Sequence, residues 1–138
     1  MKVFLDTNIW FSAFYGSDNC GKIIELHAQK KIEAVVSRLV VQELTQNLGN
    51  KFPQGLKLVA DFFSKFPPEM VDDCFEIDRK LKNLADPKDL PILLSAYFAK
   101  TECFVTGNIK DFAVKKIFDN LKIKVLTPKE FMQNCSTS

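Results

Sequence analysis

Met1-Lys2-Val3-Phe4-Leu5-Asp6-Thr7-Asn8 opens the chain. Val3-Phe4-Leu5 reads as a short buried strand that delivers a carboxylate at its C-terminal end and then turns at once. Open α/β sheets place their ligands at the carboxyl ends of strands. Asp6, with Thr7 and Asn8 ready to hydrogen-bond around the turn, is therefore a candidate for metal or phosphate chemistry. It equally suits the N-cap of a helix that begins with Ile9-Trp10-Phe11. The positions of the other acids bear on that choice.

Outward from this strand, strand-like and helix-like patterns alternate. Helices are predicted over residues 8–14 and 19–29, and Glu33-Ala34-Val35-Val36 reads as a second strand. Ser37 is placed to cap a helix that turns Val40, Val41, Leu44 and Leu48 inward and stops at Gly49, a left-handed C-cap. Residues 55–66 bring Leu56, Val59, Phe63 and Phe66 to helical spacing before Pro67-Pro68. A weak strand over Glu69 to Val71 and a helix bearing Ile77, Leu81 and Leu84 follow. The strongest period is 89–99, with Leu90, Leu93, Leu94 and Tyr97 at i, i+3, i+4 and i+7. Cys103-Phe104-Val105 and Ile123 to Leu126 are the last strands. Thr127-Pro128-Lys129-Glu130 then has the form of a capping box with proline at the first helical position. The alternation predicts one α/β domain over residues 1–138, a three-layer α/β/α sandwich around a central, mostly parallel sheet.

Bulk composition narrows the chemistry. The 138 residues are 46% hydrophobic with 13 Phe, enough for a sizeable core. No apolar run approaches the roughly 20 residues of a membrane span. Asp6 and Asn8 interrupt any signal-peptide core, so a cytoplasmic location without membrane contact is expected. A net charge of +2 is too mild to announce a nucleic-acid binder. Cys20, Cys74, Cys103 and Cys135 form no Cys-x-x-Cys pair and read as reduced structural thiols. His27 is the only histidine and reads as a packed structural residue. Zinc ligation and histidine-based triads are disfavoured, which leaves carboxylates and a metal to carry any catalysis.

Four polar positions fit that requirement. Asp6 ends the first strand. Glu43 lies off the centre of the apolar stripe of the 37–48 helix, where it suits a residue leaning over a cleft or a surface glutamate. Asp86-Pro87-Lys88-Asp89 opens the 89–99 helix, and Pro91 fits only in its first turn, where amides are unpaired. Asp89 has an alternative role there as an N-terminal cap. Thr106-Gly107-Asn108 follows the 103–105 strand, with Asn108 either bonded to a metal-bound water or a plain turn residue. Carboxylates gathered in one pocket repel unless a divalent cation neutralises them. Oxygen ligation selects Mg²⁺ or Mn²⁺ over zinc. Hydrolysis of a nucleic-acid backbone is the natural chemistry of such a centre.

These segments, in this order, resemble the PIN-domain family: Val-Phe-Leu-Asp6-Thr7-Asn8, Val-Val-Ser37-x-x-Val-x-x-Glu43-Leu, Asp86-Pro-Lys-Asp89-Leu-Pro-Ile-Leu-Leu-Ser-Ala96, Phe-Val-Thr106-Gly107-Asn108-Ile-Lys-Asp111-Phe and the closing Val-Leu-Thr-Pro-Lys-Glu-Phe. The resemblance covers nearly the whole chain. It implies a Rossmann-like fold and a Mg²⁺- or Mn²⁺-dependent ribonuclease, most like the small single-domain members, many of which are toxins paired with an antitoxin. It places Asp6, Glu43 and Asp89 on the family's metal-binding acids, with Thr7, Asn8, Asp86 and Thr106 as accessory groups. The family usually has aspartate where this chain has Asn108. One charge is thereby removed, so one cation is held and a second more weakly. Asp111, three residues on, is an accessory acid that partly substitutes.

An RNA substrate, an antitoxin partner and a homo-oligomer are the expected associations. Lys110, Lys115 and Lys116 are candidate RNA contacts, or simply a lysine-rich surface. Phe62-Phe63-Ser64-Lys65-Phe66 is a candidate surface for antitoxin or self-association, or core. Asn108 motivates the alternative of a catalytically weakened RNA- or partner-binding module. Aspartyl-nucleophile phosphatases also place an acid after the first strand, but their Asp-x-Asp start is not met, because the third position is Asn8.

Overall fold

The computed structural model describes residues 1–135, with Cys135 by its backbone alone. Residues 136–138, the end of the expected domain, and the Cys135 thiol lie outside the described residues. Five strands form one sheet: Lys2–Leu5 (β1), Glu33–Ser37 (β2), Glu69–Val71 (β3), Cys103–Val105 (β4) and Lys124–Leu126 (β5). Every pairing is parallel, and the order is β3-β2-β1-β4-β5. The chain thus winds outward from β1 in one direction, then returns and winds out in the other. The reversal falls between β1 and β4, where doubly wound sheets open a crevice at their carboxyl edge.

Apolar runs at the centre of the sheet account for its burial on both faces. Val3, Phe4, Leu5, Val35, Phe104 and Val105 are fully buried. Phe4 lies opposite Phe104 in the ladder, their rings stacked 5.3 Å apart. Thr7–Tyr15 (α1), Asp18–Ala28 (α2), Arg38–Lys51 (α3) and Gln54–Lys65 (α4) pack on one another over one face. Leu90–Phe98 (α5) and Val114–Leu121 (α6) cover the other, while Pro128–Cys135 (α7) packs back against α2. Trp10 anchors the first face: it is fully buried, donates to the Leu5 carbonyl at 3.2 Å and meets Phe63 edge-on at 5.1 Å.

Several local expectations need correction. Gly49 does not end α3, which runs on to Lys51. Leu48 is fully buried, Phe52 returns its amide to the Leu48 carbonyl, and Pro53 follows. Tertiary packing therefore carries the helix through the glycine. Gly16, with φ of 116°, is a left-handed glycine cap, and it ends α1. The expected helix through Ile77, Leu81 and Leu84 is only a 3₁₀ turn, Arg79–Leu81. Asp78 accepts the Lys80 amide at 3.0 Å, a local bond that competes with helix, and Ala85 bridges antiparallel to Phe112. The inner face of α4 is Gly55, Val59, Phe62 and Phe63 rather than Leu56 and Phe66, each 38% exposed. Of the three phenylalanines in the Phe-rich stretch, then, only Phe66 is exposed. The capping box forms as expected: the Thr127 amide donates to Glu130 Oε1 at 3.0 Å, and the Glu130 amide to Thr127 Oγ1 at 3.1 Å. Among the described residues, no helix is long and apolar enough to cross a membrane.

Candidate active site at the carboxyl edge of the sheet

Asp6 leaves β1 at the switch point, and its amide donates to the Val105 carbonyl at 3.0 Å. It is both the helix cap and a candidate ligand; the two readings of the sequence are compatible. Oδ1 accepts the Thr7 amide at 2.8 Å, and Oδ2 accepts the Thr106 hydroxyl at 2.9 Å. Thr106 Oγ1 in turn accepts the Asn108 amide at 3.1 Å, so its proton is committed to Asp6. Asn8 Oδ1 accepts the Gly107 amide at 2.8 Å and ties the two strand-end turns together. A Cβ at Gly107 would stand 3.2 Å from that oxygen.

Glu43 comes from the middle of α3. Thr7 donates its hydroxyl to Glu43 Oε1 at 2.7 Å, which fixes the glutamate over the end of β1. Asp89 stands at the start of α5 but makes no side-chain cap bond. The Asp86 carbonyl accepts the amides of Asp89 and Leu90, and Asp86 itself donates its amide to the Asp111 carbonyl. That turn brings carboxylate oxygens of Asp86, Asp89 and Asp111 within 4.8 Å of one another.

Together these elements line a cleft of about 390 Å³ whose walls include Asp6, Thr7, Asn8, Glu43, Asp89 and Asn108. Its other residues are Phe11, Gln46, Asn47, Lys51 and Lys88, which motif reading did not single out. A usable signal existed, since Asn47 and Lys51 repeat at four and eight residues beyond Glu43 on one helix face. Asp86 and Asp111 sit beside the cleft at Asp89. Lys110 lines an adjoining recess with them, and Lys115 and Lys116 are exposed on α6, away from the cleft lining.

The electrostatics match the crowding. Burial, and then Glu43, push the Asp6 carboxyl above its usual range against the opposing pull of Thr106 and Thr7. Asp89 is pushed up to about 6, first by burial and then by Asp6, with Lys88 pulling the other way. Asp89 Oδ2 is buried and has no hydrogen-bond partner. A solvent-shielded carboxylate oxygen left unpaired among other carboxylates is what an all-oxygen cation site provides when the cation is not counted. Oxygen donors of this kind suit a hard divalent cation, and the carboxylates whose oxygens come within 4.8 Å of one another are Asp86, Asp89 and Asp111.

The family model for the PIN domain matches residues 2–110. No curated protein sequence matches the chain. Among solved structures, the chain resembles the crystal structure of VapBC2 from Rickettsia felis bound to a DNA fragment from their promoter. The TM-score is 0.64 with 23% identity, covering 92% of this chain and 98% of that one.

Proposed function

Since the chain belongs to the PIN domain family, whose members are usually nucleases, we propose that it is a divalent-metal-dependent endoribonuclease. On this reading it is the toxin of a toxin–antitoxin pair and works in the cytoplasm. The observation that carries the reading is the carboxyl-edge cleft, which Asp6, Glu43 and Asp89 all line and where one buried oxygen of Asp89 lacks any partner. Asp6, Glu43 and Asp89 would hold Mg²⁺ or Mn²⁺. Such an ion, when bound, supplies charge stabilisation at a phosphodiester and lowers the pKa of a water.

The chain's own groups have distinct tasks. Thr106 and the Thr7 amide each occupy one lone pair of Asp6, which leaves its remaining lone pairs for the cleft. Thr7 holds Glu43 against rotation. Asn8 and Gly107 keep the two turns at fixed separation. Lys51 and Lys88 supply the positive charge that draws a phosphate backbone toward an otherwise acidic opening. Asp86 and Asp111 crowd Asp89 from outside and support its preference for a cation. The toxin reading is supported by the shared fold with VapBC2, an antitoxin being the corresponding partner.

Incubation of the protein with mixed-sequence RNA in EDTA, Mg²⁺ or Mn²⁺ tests the proposal, with Asp6→Asn as control. Cleavage that requires the metal and disappears in the control supports it. Cation binding without cleavage of any RNA would favour the alternative, a weakened RNA- or partner-binding module. One observation favours that second reading: Asn108 lines the cleft where the family usually has a carboxylate.

A further inference from the structure

Two side-chain rows leave the acidic centre together. Thr7, Phe11 and Tyr15 follow one another at four-residue spacing along α1, and Glu43, Asn47 and Lys51 do so along α3. The rows start in contact, at the 2.7 Å bond from Thr7 to Glu43. They stay in contact further out, where Lys51 Nζ sits 5.8 Å from the Phe11 ring centre. Beyond it, Tyr15 meets Phe52, the residue after α3, edge-on at 5.4 Å. Two helical turns separate Thr7 from Tyr15, a run of about 12 Å. One wall of this seam is aromatic and the other is amide and ammonium.

Tyr15 is the unusual member. Its ring lies nearly parallel to Phe11, 5.4 Å away and inclined by 17°. Phe52 buttresses it from the side. Yet 61% of the residue is exposed, so it contributes little to the core while being held in one orientation. Lys51 takes part in neither ion pair found among the described residues. A fixed, solvent-facing ring beside an ammonium group is the arrangement by which proteins hold single-stranded nucleic acid: bases stack on the ring and phosphates meet the cation. An apolar protein segment would not need the facing Asn47 and Lys51.

We propose that the α1/α3 seam is a track for the single-stranded RNA flanking the scissile phosphate, with Tyr15 as a base-stacking platform and Lys51 as a phosphate contact. It rests on the nuclease reading above and deepens it by assigning the substrate a strand form and a direction of approach. Because stacking accepts any base, the track gives affinity without sequence preference at that position.

Binding of a short fluorescent single-stranded RNA in EDTA tests the track. Tyr15→Ala is expected to weaken binding about 5- to 100-fold, whereas Tyr15→Phe stays within about twofold of the native protein. An abasic oligomer of equal length is expected to bind native protein and Tyr15→Ala alike. Lys51→Gln is expected to reduce the slope of log K against log salt by about 1. A circular-dichroism melt of Tyr15→Ala matching the native one excludes a folding defect. Unchanged RNA affinity in Tyr15→Ala, or an equal loss for the abasic oligomer, overturns the proposal. If the native protein still cleaves RNA in that case, the nuclease reading survives; native protein that neither binds nor cleaves RNA sinks both.

Discussion

The two edges of the sheet carry the two largest contrasts in this molecule. At the amino edge lies the roomier recess, about 610 Å³, lined by Met1, His27, Lys30, Lys31, Glu33, Lys65 and Phe66 among others. At the carboxyl edge lies the smaller acidic cleft, about 390 Å³. Size misleads here. His27, the amino-edge group best suited to chemistry, has both ring nitrogens occupied by backbone. Nδ1 accepts the Ala34 amide at 3.1 Å, which leaves Nε2–H to donate to the Phe66 carbonyl at 3.0 Å. It joins α2, β2 and the end of α4 and has nothing left to offer a ligand. The carboxyl edge is the reverse: its acids are held by their neighbours and still leave an oxygen unpaired. Unspent bonding capacity, not volume, separates a site from a joint.

Substitutions at the two edges should therefore move different observables. Asp6→Asn is expected to lower metal-dependent RNA cleavage at least about a hundredfold, measured as initial rates on a labelled RNA. The same change should leave metal-free stability equal or raised, because burial disfavours the charged form of the native carboxyl and asparagine carries no charge. His27→Ala should do the opposite, costing about 1–2 kcal/mol in urea unfolding by stranding the Ala34 amide and the Phe66 carbonyl, with cleavage unchanged. A cleavage defect in His27→Ala of the size seen in Asp6→Asn would break the contrast. Asn108→Asp sharpens it from the other side: an added charge at the cleft should tighten Mn²⁺ binding several-fold in calorimetry and weaken metal-free stability.

The smallest effect is one of pH. Asp89 titrates near 6 in the folded protein against an ordinary 3.8, so the folded state binds its proton more tightly than the unfolded chain. Its contribution to stability is thus complete below about pH 4 and is lost as pH rises through 6. This group by itself should make metal-free protein melt a few degrees lower at pH 7 than at pH 4. Asp89→Asn should flatten that part of the profile, and saturating Mg²⁺ should restore the loss at pH 7. Equal pH profiles for the native protein and Asp89→Asn would remove Asp89 from the account.

What the sequence disclosed and what it hid divide along the range of the interactions. The strand ending in Asp6, the cap at Ser37 and the Thr127–Glu130 box are local, and all were legible. So was the parallel α/β sandwich, because strand and helix periods alternate along the chain. Gly49 misled because its neighbour Leu48 is pinned by packing that no local pattern reveals. Residues 77–84 misled because Asp78 closes a competing turn and Ala85 pairs with Phe112, a partner remote in sequence. Within the site, Asp6, Glu43 and Asp89 stood out as acids in motifs. Phe11 did not, since its membership follows from how α1 lies against α3, while Asn47 and Lys51 were legible only once Glu43 was taken as the start of their helix row.

The backbone of Asp6 carries a further consequence. Its amide belongs to the sheet ladder through the Val105 carbonyl, and the Thr106 amide likewise reaches the Leu126 carbonyl. Asp6 and Thr106 each directly follow a central strand, and these two bonds carry the ladder one residue past it. In deuterated water these two amides should exchange among the slowest in the chain, on the timescale of global opening, while α1 frays at Tyr15 far sooner. The floor of the cleft and the hydrophobic core would then share one lifetime, so that no partial opening loosens the floor while leaving the sheet intact.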